Sequence, residues 1–215
     1  MLEGSAFNFS PDGKMLASGS LDNSIKLWQL QDLPITHISA HESWINSISF
    51  SPDGQTIASG SIDGTIKLWK NNGKLIKTLT EHTEDITKIS FSPDSKMFAS
   101  SSKDGEVKIW KSDRKTITLS KDKIEITSVS FNSNGTILAS SSIDGTINLW
   151  KNDGTLILTF NTDDEIRSIG FSPDSQTLVT GNKKGSLSLW NLNIDNLLTQ
   201  SYTWLQDYFK NYPQS

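Results

Sequence analysis

The chain has 215 residues, 34% hydrophobic and 20% charged, with 24 acidic side chains against 20 basic ones and no cysteine. The missing cysteines exclude disulfides, cysteine–zinc sites and thiol nucleophiles, and the net charge of −4 speaks against nucleic-acid binding, which needs a concentrated basic face. The opening "MLEGSAFNFSPDG" has no basic or apolar signal region, and no run reaches the roughly 20 apolar residues of a bilayer span, so a cytoplasmic chain without a membrane partner is expected.

The first unit (1–40) runs through "AFNF", the turn "SPDG", "KMLASGS" and "SIKLW". The second (41–81) shows the plan most plainly. Ile45, Ile48 and Phe50 form an apolar run, "SPDG" turns the chain, "TIASGS" extends again, and "TIKLW" alternates as a third strand. Asp63-Gly64 between the last two reads as a two-residue type I′ hairpin, which needs φ > 0 at both central positions. Asn71-Asn72-Gly73 turns once more, and "KLIKTLT" is a fourth strand. The third (82–121) and fourth (122–161) units keep this order. The fifth (162–191) stops after three strands.

The repetition is regular. Trp28, Trp69, Trp110, Trp150 and Trp190 follow one another at steps of 41, 41, 40 and 40 residues, and Phe9, Phe50, Phe91, Phe131 and Phe171 keep those steps. A period near 40 means one supersecondary element per unit, each burying its faces only against its neighbours. Four-stranded antiparallel sheets in series make an all-β β-propeller of five blades, the last short of a strand. Whether the ring closes is left open, because no spare strand precedes the first blade.

After the fifth unit the period changes. Leu197, Leu198, Trp204, Leu205, Tyr208 and Tyr212 fall on one helical face, with Asp195 as N-cap and Pro213 as stop. An amphipathic helix over 192–215, packed on the propeller edge, is expected.

These units resemble the WD-repeat family, whose pattern is a Gly-His pair, a strand, a turn, a strand ending in Ser/Thr-x-x-x-Asp and a strand ending in Trp. The resemblance covers about residues 3–191. The Trp-Asp dipeptide itself is absent, since Trp is followed by Gln29, Lys70, Lys111, Lys151 and Asn191. The resemblance implies a hydrogen-bonded tetrad of His, Ser/Thr, Asp and Trp in each blade. Unit two offers His41, Ser59, Asp63 and Trp69; unit three offers His82, Ser100, Asp104 and Trp110. Unit one has Ser18, Asp22 and Trp28. Unit four has Ser140, Asp144 and Trp150, with Asp122 at the His position. Unit five keeps Thr180 and Trp190 but has Thr162 and Lys184 where His and Asp would stand. The tail resembles the ending of large bacterial, cyanobacterial-type WD-repeat proteins, in Leu197-Leu198, Trp204-Leu205 and Tyr208. That likeness implies the C-terminal part of a longer propeller.

The resemblance also implies that partners dock on the top face around the channel mouth. Six residues before each Phe stand Glu3, Trp44, Asp85, Glu125 and Glu165; two residues later come Ser5, Asn46, Thr87, Thr127 and Arg167. Just before the hairpin stand Leu21, Ile62, Lys103, Ile143 and Lys183. Trp44 with Leu21 and Ile62 would be an apolar anchor beside an acidic arc, suited to a basic peptide whose Lys or Arg lies over the indole.

A non-enzymatic interaction scaffold is therefore the leading class, with no cofactor and no metal, since the acids come one per blade without a compact ligand loop. Two alternatives stand beside it. One is a fragment of a signalling WD-repeat protein that acts only after association with missing blades or another copy through its open ends. The other is a propeller hydrolase, suggested by the Ser-His-Asp sets but opposed by their recurrence at the structural period and by Trp at the hydroxyl.

Overall fold

The computed structural model describes residues 4–31, 35–111, 115–120 and 123–192. These form 19 strands in five antiparallel sheets. Blade 1 holds β1 (Gly4–Phe9), β2 (Met15–Ser20), β3 (Ser24–Gln29) and β4 (Ile35–Ser39). Blade 2 holds β5 (Ile45–Phe50), β6 (Thr56–Ser61), β7 (Ile66–Lys70) and β8 (Leu75–Leu79). Blade 3 is β9 (Ile86–Phe91), β10 (Met97–Ser102), β11 (Val107–Lys111) and β12 (Thr116–Thr118). Blade 4 is β13 (Ile126–Phe131), β14 (Ile137–Ser142), β15 (Thr146–Lys151) and β16 (Leu156–Asn161). Blade 5 has three strands, β17 (Ile166–Phe171), β18 (Thr177–Asn182) and β19 (Leu187–Asn191). Within each sheet the strands lie in chain order. The expected C-terminal helix lies, from residue 193 on, outside the described residues, as do Glu3 and Asp122.

Period-two alternation decides what each blade buries. In blade 2, Ile57 lies opposite Phe50 on one side and Trp69 on the other, so the three share a face with Ile48 and Ser59. Ala58, Leu68 and Ile66 share the other face. The first face packs on Ala17, Ile25 and Leu27 of blade 1, and the second on Ile86, Ile89, Phe98 and Trp110 of blade 3. Blades 3 to 5 repeat the contact. Each buried Ile, Leu or Phe contributes about 1.5–3 kcal/mol, so the core is four inter-blade layers and no blade has a core of its own. The first strands β1, β5, β9, β13 and β17 pack in succession. No comparable contact joins β17 to β1 among the described residues, and the five blades form an open arc.

The hairpins differ from the two-residue type I′ reading. Gly64 has φ of 77°, but Asp63 is not among the residues with positive φ. Gly64 N–H donates to Ser61 C=O at 3.2 Å and Ser61 N–H to Thr65 C=O at 3.2 Å. This is a three-residue loop, a type I turn followed by a left-handed glycine and a G1 bulge. Asp63 drives the choice. Its Oδ1 accepts from Thr65 N–H at 2.8 Å and from the Thr65 hydroxyl at 2.6 Å, which holds the aspartate in the right-handed region.

Candidate functional site

The tetrads are built where the β6–β7 and β10–β11 hairpins meet the loops entering β5 and β9. Trp69 Nε1–H donates to Ser59 Oγ at 2.9 Å, and Ser59 Oγ lies 2.7 Å from His41 Nε2. His41 Nδ1 lies 3.2 Å from Asp63 Oδ2. A carboxylate only accepts, so Nδ1 carries the proton and Nε2 accepts from the serine hydroxyl. Blade 3 repeats the chain with Trp110–Ser100, Ser100–His82 and His82–Asp104 distances of 2.8, 2.8 and 2.8 Å. Burial lowers the pKa of His41 and His82, outweighing the pull of Asp63 and Asp104, so both rings are neutral at pH 7. Burial pushes the Asp63 and Asp104 carboxyls up, but hydrogen bonds hold both below the ordinary value; Thr65 supplies them at Asp63, and backbone N–H groups together with His82 at Asp104.

The other blades keep part of this. Trp28, Trp150 and Trp190 donate to Ser18, Ser140 and Thr180 at 3.1, 2.9 and 3.0 Å. Asp22 accepts instead from Ser24, and Asp144 from Ser142 and Thr146. Lys184 pairs with Asp164, and Thr162 bonds the Gly145 carbonyl at 3.2 Å.

The groups that suggested a hydrolase or a metal site are engaged with one another. Ser59 and Ser100 have 0% exposure, and each hydroxyl is held between an indole N–H and an imidazole. His82, Asp104 and Glu106 lie close enough to hold an ion. Yet both His82 nitrogens are bonded to Asp104 and Ser100, and Glu106 is paired with Lys108.

The top-face residues are joined in pairs. Ile62, Lys103, Ile143 and Lys183 each donate their backbone N–H to the carbonyl of Trp44, Asp85, Glu125 and Glu165, at 2.9–3.0 Å. Trp44 is 50% exposed; Leu21 and Ile62 are half-buried. The acids are partly matched: Asp85 pairs with Lys103 at 2.7 Å, and Glu165 with Arg167 and Lys183. The positions two residues further on are β-bulges in every blade, because the register skips Ser5, Asn46, Thr87, Thr127 and Arg167. A bulge re-aims its side chain. Asn46 and Thr87 thereby bond the carbonyls of Ile86 and Ile126 in the next blade, at 3.2 and 2.7 Å. Thr127 bonds Ser141 within its own blade.

No sequence signal marks a groove of about 560 Å³ between blades 2 and 3, because its walls come from two units. Leu79 and Lys77 line one side, Phe98, Trp110 and Lys111 the other.

Five serially packed antiparallel sheets, four of four strands and one of three, with a Trp–hydroxyl bond in each, define a WD-type β-propeller, a class of interaction scaffold that is in general non-enzymatic and binds protein partners. A family model described as WD domain, G-beta repeat matches residues 5–29, 33–70, 73–111, 114–151 and 154–191, and the chain belongs to this WD40 family. The curated proteins contain no match to it. Among the described residues no helix is long and apolar enough to cross a membrane.

Proposed function

We propose that this chain is a non-enzymatic scaffold that docks a protein partner on the top face, with Trp44 as the anchor for a basic peptide. One observation carries the reading. Among the described residues, Trp44 is the one Trp, Tyr or Phe in the loops entering the first strands, and it is half exposed although Ile62 fixes its backbone. An exposed rigid aromatic beside carboxylates suits a Lys or Arg side chain. Lys103 already neutralises Asp85, so an incoming cation competes with it and binding falls with salt. The cell compartment in this reading is the cytoplasm. In the test, wild type and Trp44→Ala are titrated against an array of basic peptides, with folding checked by thermal melt. Trp44→Ala should stay folded and lose binding; Trp69→Ala should lose mainly stability. Equal binding by wild type and folded Trp44→Ala sinks the proposal.

A second reading is supported by the exposed apolar faces at the two ends of the arc, Phe7 on blade 1 and Leu187 on blade 5. In it the chain is part of a larger assembly of blades, as the tail's likeness to large bacterial WD-repeat proteins suggests, and acts after association.

A further inference from the structure

All four internal joints use one contact of fixed polarity. A tryptophan-bearing face enters, and a face built on a small residue receives. At the first joint Ile48, Phe50 and Trp69 of blade 2 enter against Ala17, Ile25 and Leu27 of blade 1. Every later joint repeats this order. The arc therefore ends in two different faces. Blade 1 leaves an entering face uncovered, where Phe7 and Phe9 are 72% and 53% exposed. Among the described residues, blade 5 leaves a receiving face uncovered, where Leu187 and Leu189 are 74% and 73% exposed although their counterparts in blade 4, Ile147 and Leu149, are buried. A side chain at Gly170 on this last blade would meet nothing within 4 Å.

We propose that these two faces bind each other between copies, blade 5 of one chain receiving blade 1 of a second chain, head to tail. This builds on the association reading above and does not involve Trp44. The occupant is a second copy because each free face is of the kind that the other free face pairs with at the internal joints. Pairing like with like has no such precedent: two entering faces would oppose Phe7 to Phe7 without a small residue to receive it.

The two end faces differ in side-chain size from their internal counterparts. At internal joints the first residue of the entering strand is a buried isoleucine, and Ile45 and Ile86 press on Gly19 and Gly60. In blade 1 that register position is Gly4, opposite Ser20 as Ile45 is opposite Ser61. Blade 1 carries Phe7 in place of Ile48, and blade 5 carries Val179 in place of Ala139 but keeps a small residue in Gly181, which stands where Gly60 stands in blade 2. The bulge adds a polar contact. Asn46 and Thr87 bond the carbonyl of the first strand residue of the next blade. Arg167 is the bulge residue of blade 5, and its counterpart acceptor is the Gly4 carbonyl of the second copy. The contact is heterologous, so it closes a two-copy ring or continues as a stack according to the rotation at the joint.

The experiment uses the full chain with one end blocked at a time. Phe7→Glu/Phe9→Glu blocks blade 1; Leu187→Glu/Leu189→Glu blocks blade 5. All four residues are exposed, and a milder Phe9→Ser and Leu189→Ser set is carried in parallel, with melts confirming folding. Light scattering should give wild type at twice 23.8 kDa or more. Each blocked variant alone should give a monomer, and their equimolar mixture a species that stops at two chains. Monomeric wild type at 100 µM (an order-of-magnitude choice well above a micromolar Kd) overturns the proposal. So does a blocked variant that still self-associates, or a mixture that stays monomeric. Peptide titration of wild type and Trp44→Ala is independent: equal peptide binding by the two, with intact head-to-tail mass in both, would overturn the Trp44 reading alone.

Discussion

Asn46 and Ile86 belong to different blades, yet the Asn46 amide donates to the Ile86 carbonyl at 3.2 Å. The β-bulge at Asn46 makes this bond, since a regular register would turn the side chain to the opposite face. Thr87 makes the same bond to Ile126 one blade on. Asn46→Ala should therefore cost about 1 kcal/mol of stability, and Thr87→Val a similar amount. Arg167→Ala, measured in the monomeric Leu187→Glu/Leu189→Glu background where its joint is blocked, should stay within about 0.5 kcal/mol. Urea unfolding of the three variants checks the order; equal effects at all three positions would refute an inter-blade role.

Acid should loosen the propeller in two steps. His41 and His82 have pKa values lowered below 6.5, so the unfolded chain binds more protons as pH falls through that value. Their contribution is full above pH 6.5 and is lost as pH falls toward the folded values. Asp63 and Asp104 lie below 3.8, so theirs is full above pH 3.8 and is lost at lower pH. The urea midpoint of wild type should drop between pH 7.5 and 5. His82→Gln should start lower and show a shallower drop across the same window. A parallel curve would rule out the histidine as the source.

Two glycines are fixed by inter-blade contact and one is not. A Cβ at Gly19 would lie 2.5 Å from Ile45 Cγ2, and one at Gly60 would crowd Ile86 in the same way. Gly19→Ala and Gly60→Ala should each cost about 1–3 kcal/mol through overpacking. Gly170→Ala has open space and should be close to neutral. Thermal melts in the monomeric Leu187→Glu/Leu189→Glu background separate the cases, and a costly Gly170→Ala there would mean that the chain itself covers the blade 5 face.

Lys103 holds Asp85 at 2.7 Å in a pair that is partly exposed. Such pairs contribute about 0–1 kcal/mol. Releasing the carboxylate with Lys103→Ala should tighten a basic peptide by up to about fivefold at low salt. Titrations at two ionic strengths check this; weaker binding would place Lys103 itself in the contact.

Much of the fold is legible in the sequence. Alternation in "TIKLW", the turn residues and the recurrence of Trp and Phe fix strands, blades and blade number, because these are local signals repeated five times. The turn type was missed. Asp63-Gly64 suits a type I′ turn, but the Asp63 carboxylate prefers the Thr65 N–H and hydroxyl, and that bond holds it in the right-handed region. The bulges were invisible too, since a skipped residue looks like any other in an alternating run. Acidic residues such as Asp85 and Glu165 can be read from sequence, but their neutralisation by Lys103, Arg167 and Lys183 cannot. The two lysine pairings depend on two loops meeting, and that of Arg167 on where its β-bulge aims it.

The sequence by itself determined the blades, because each is made of neighbours in the chain whose backbone hydrogen bonds and turns close locally. Only the tertiary structure decided which groups are spent and which remain free. Stacking the blades buries Trp69 and Ser59 and consumes Asn46 in a joint. It leaves Trp44 half exposed, and Phe7 and Leu187 uncovered at opposite ends of an open arc. Burial is a property of the neighbour across the joint, and among the described residues blades 1 and 5 each pack on one side only.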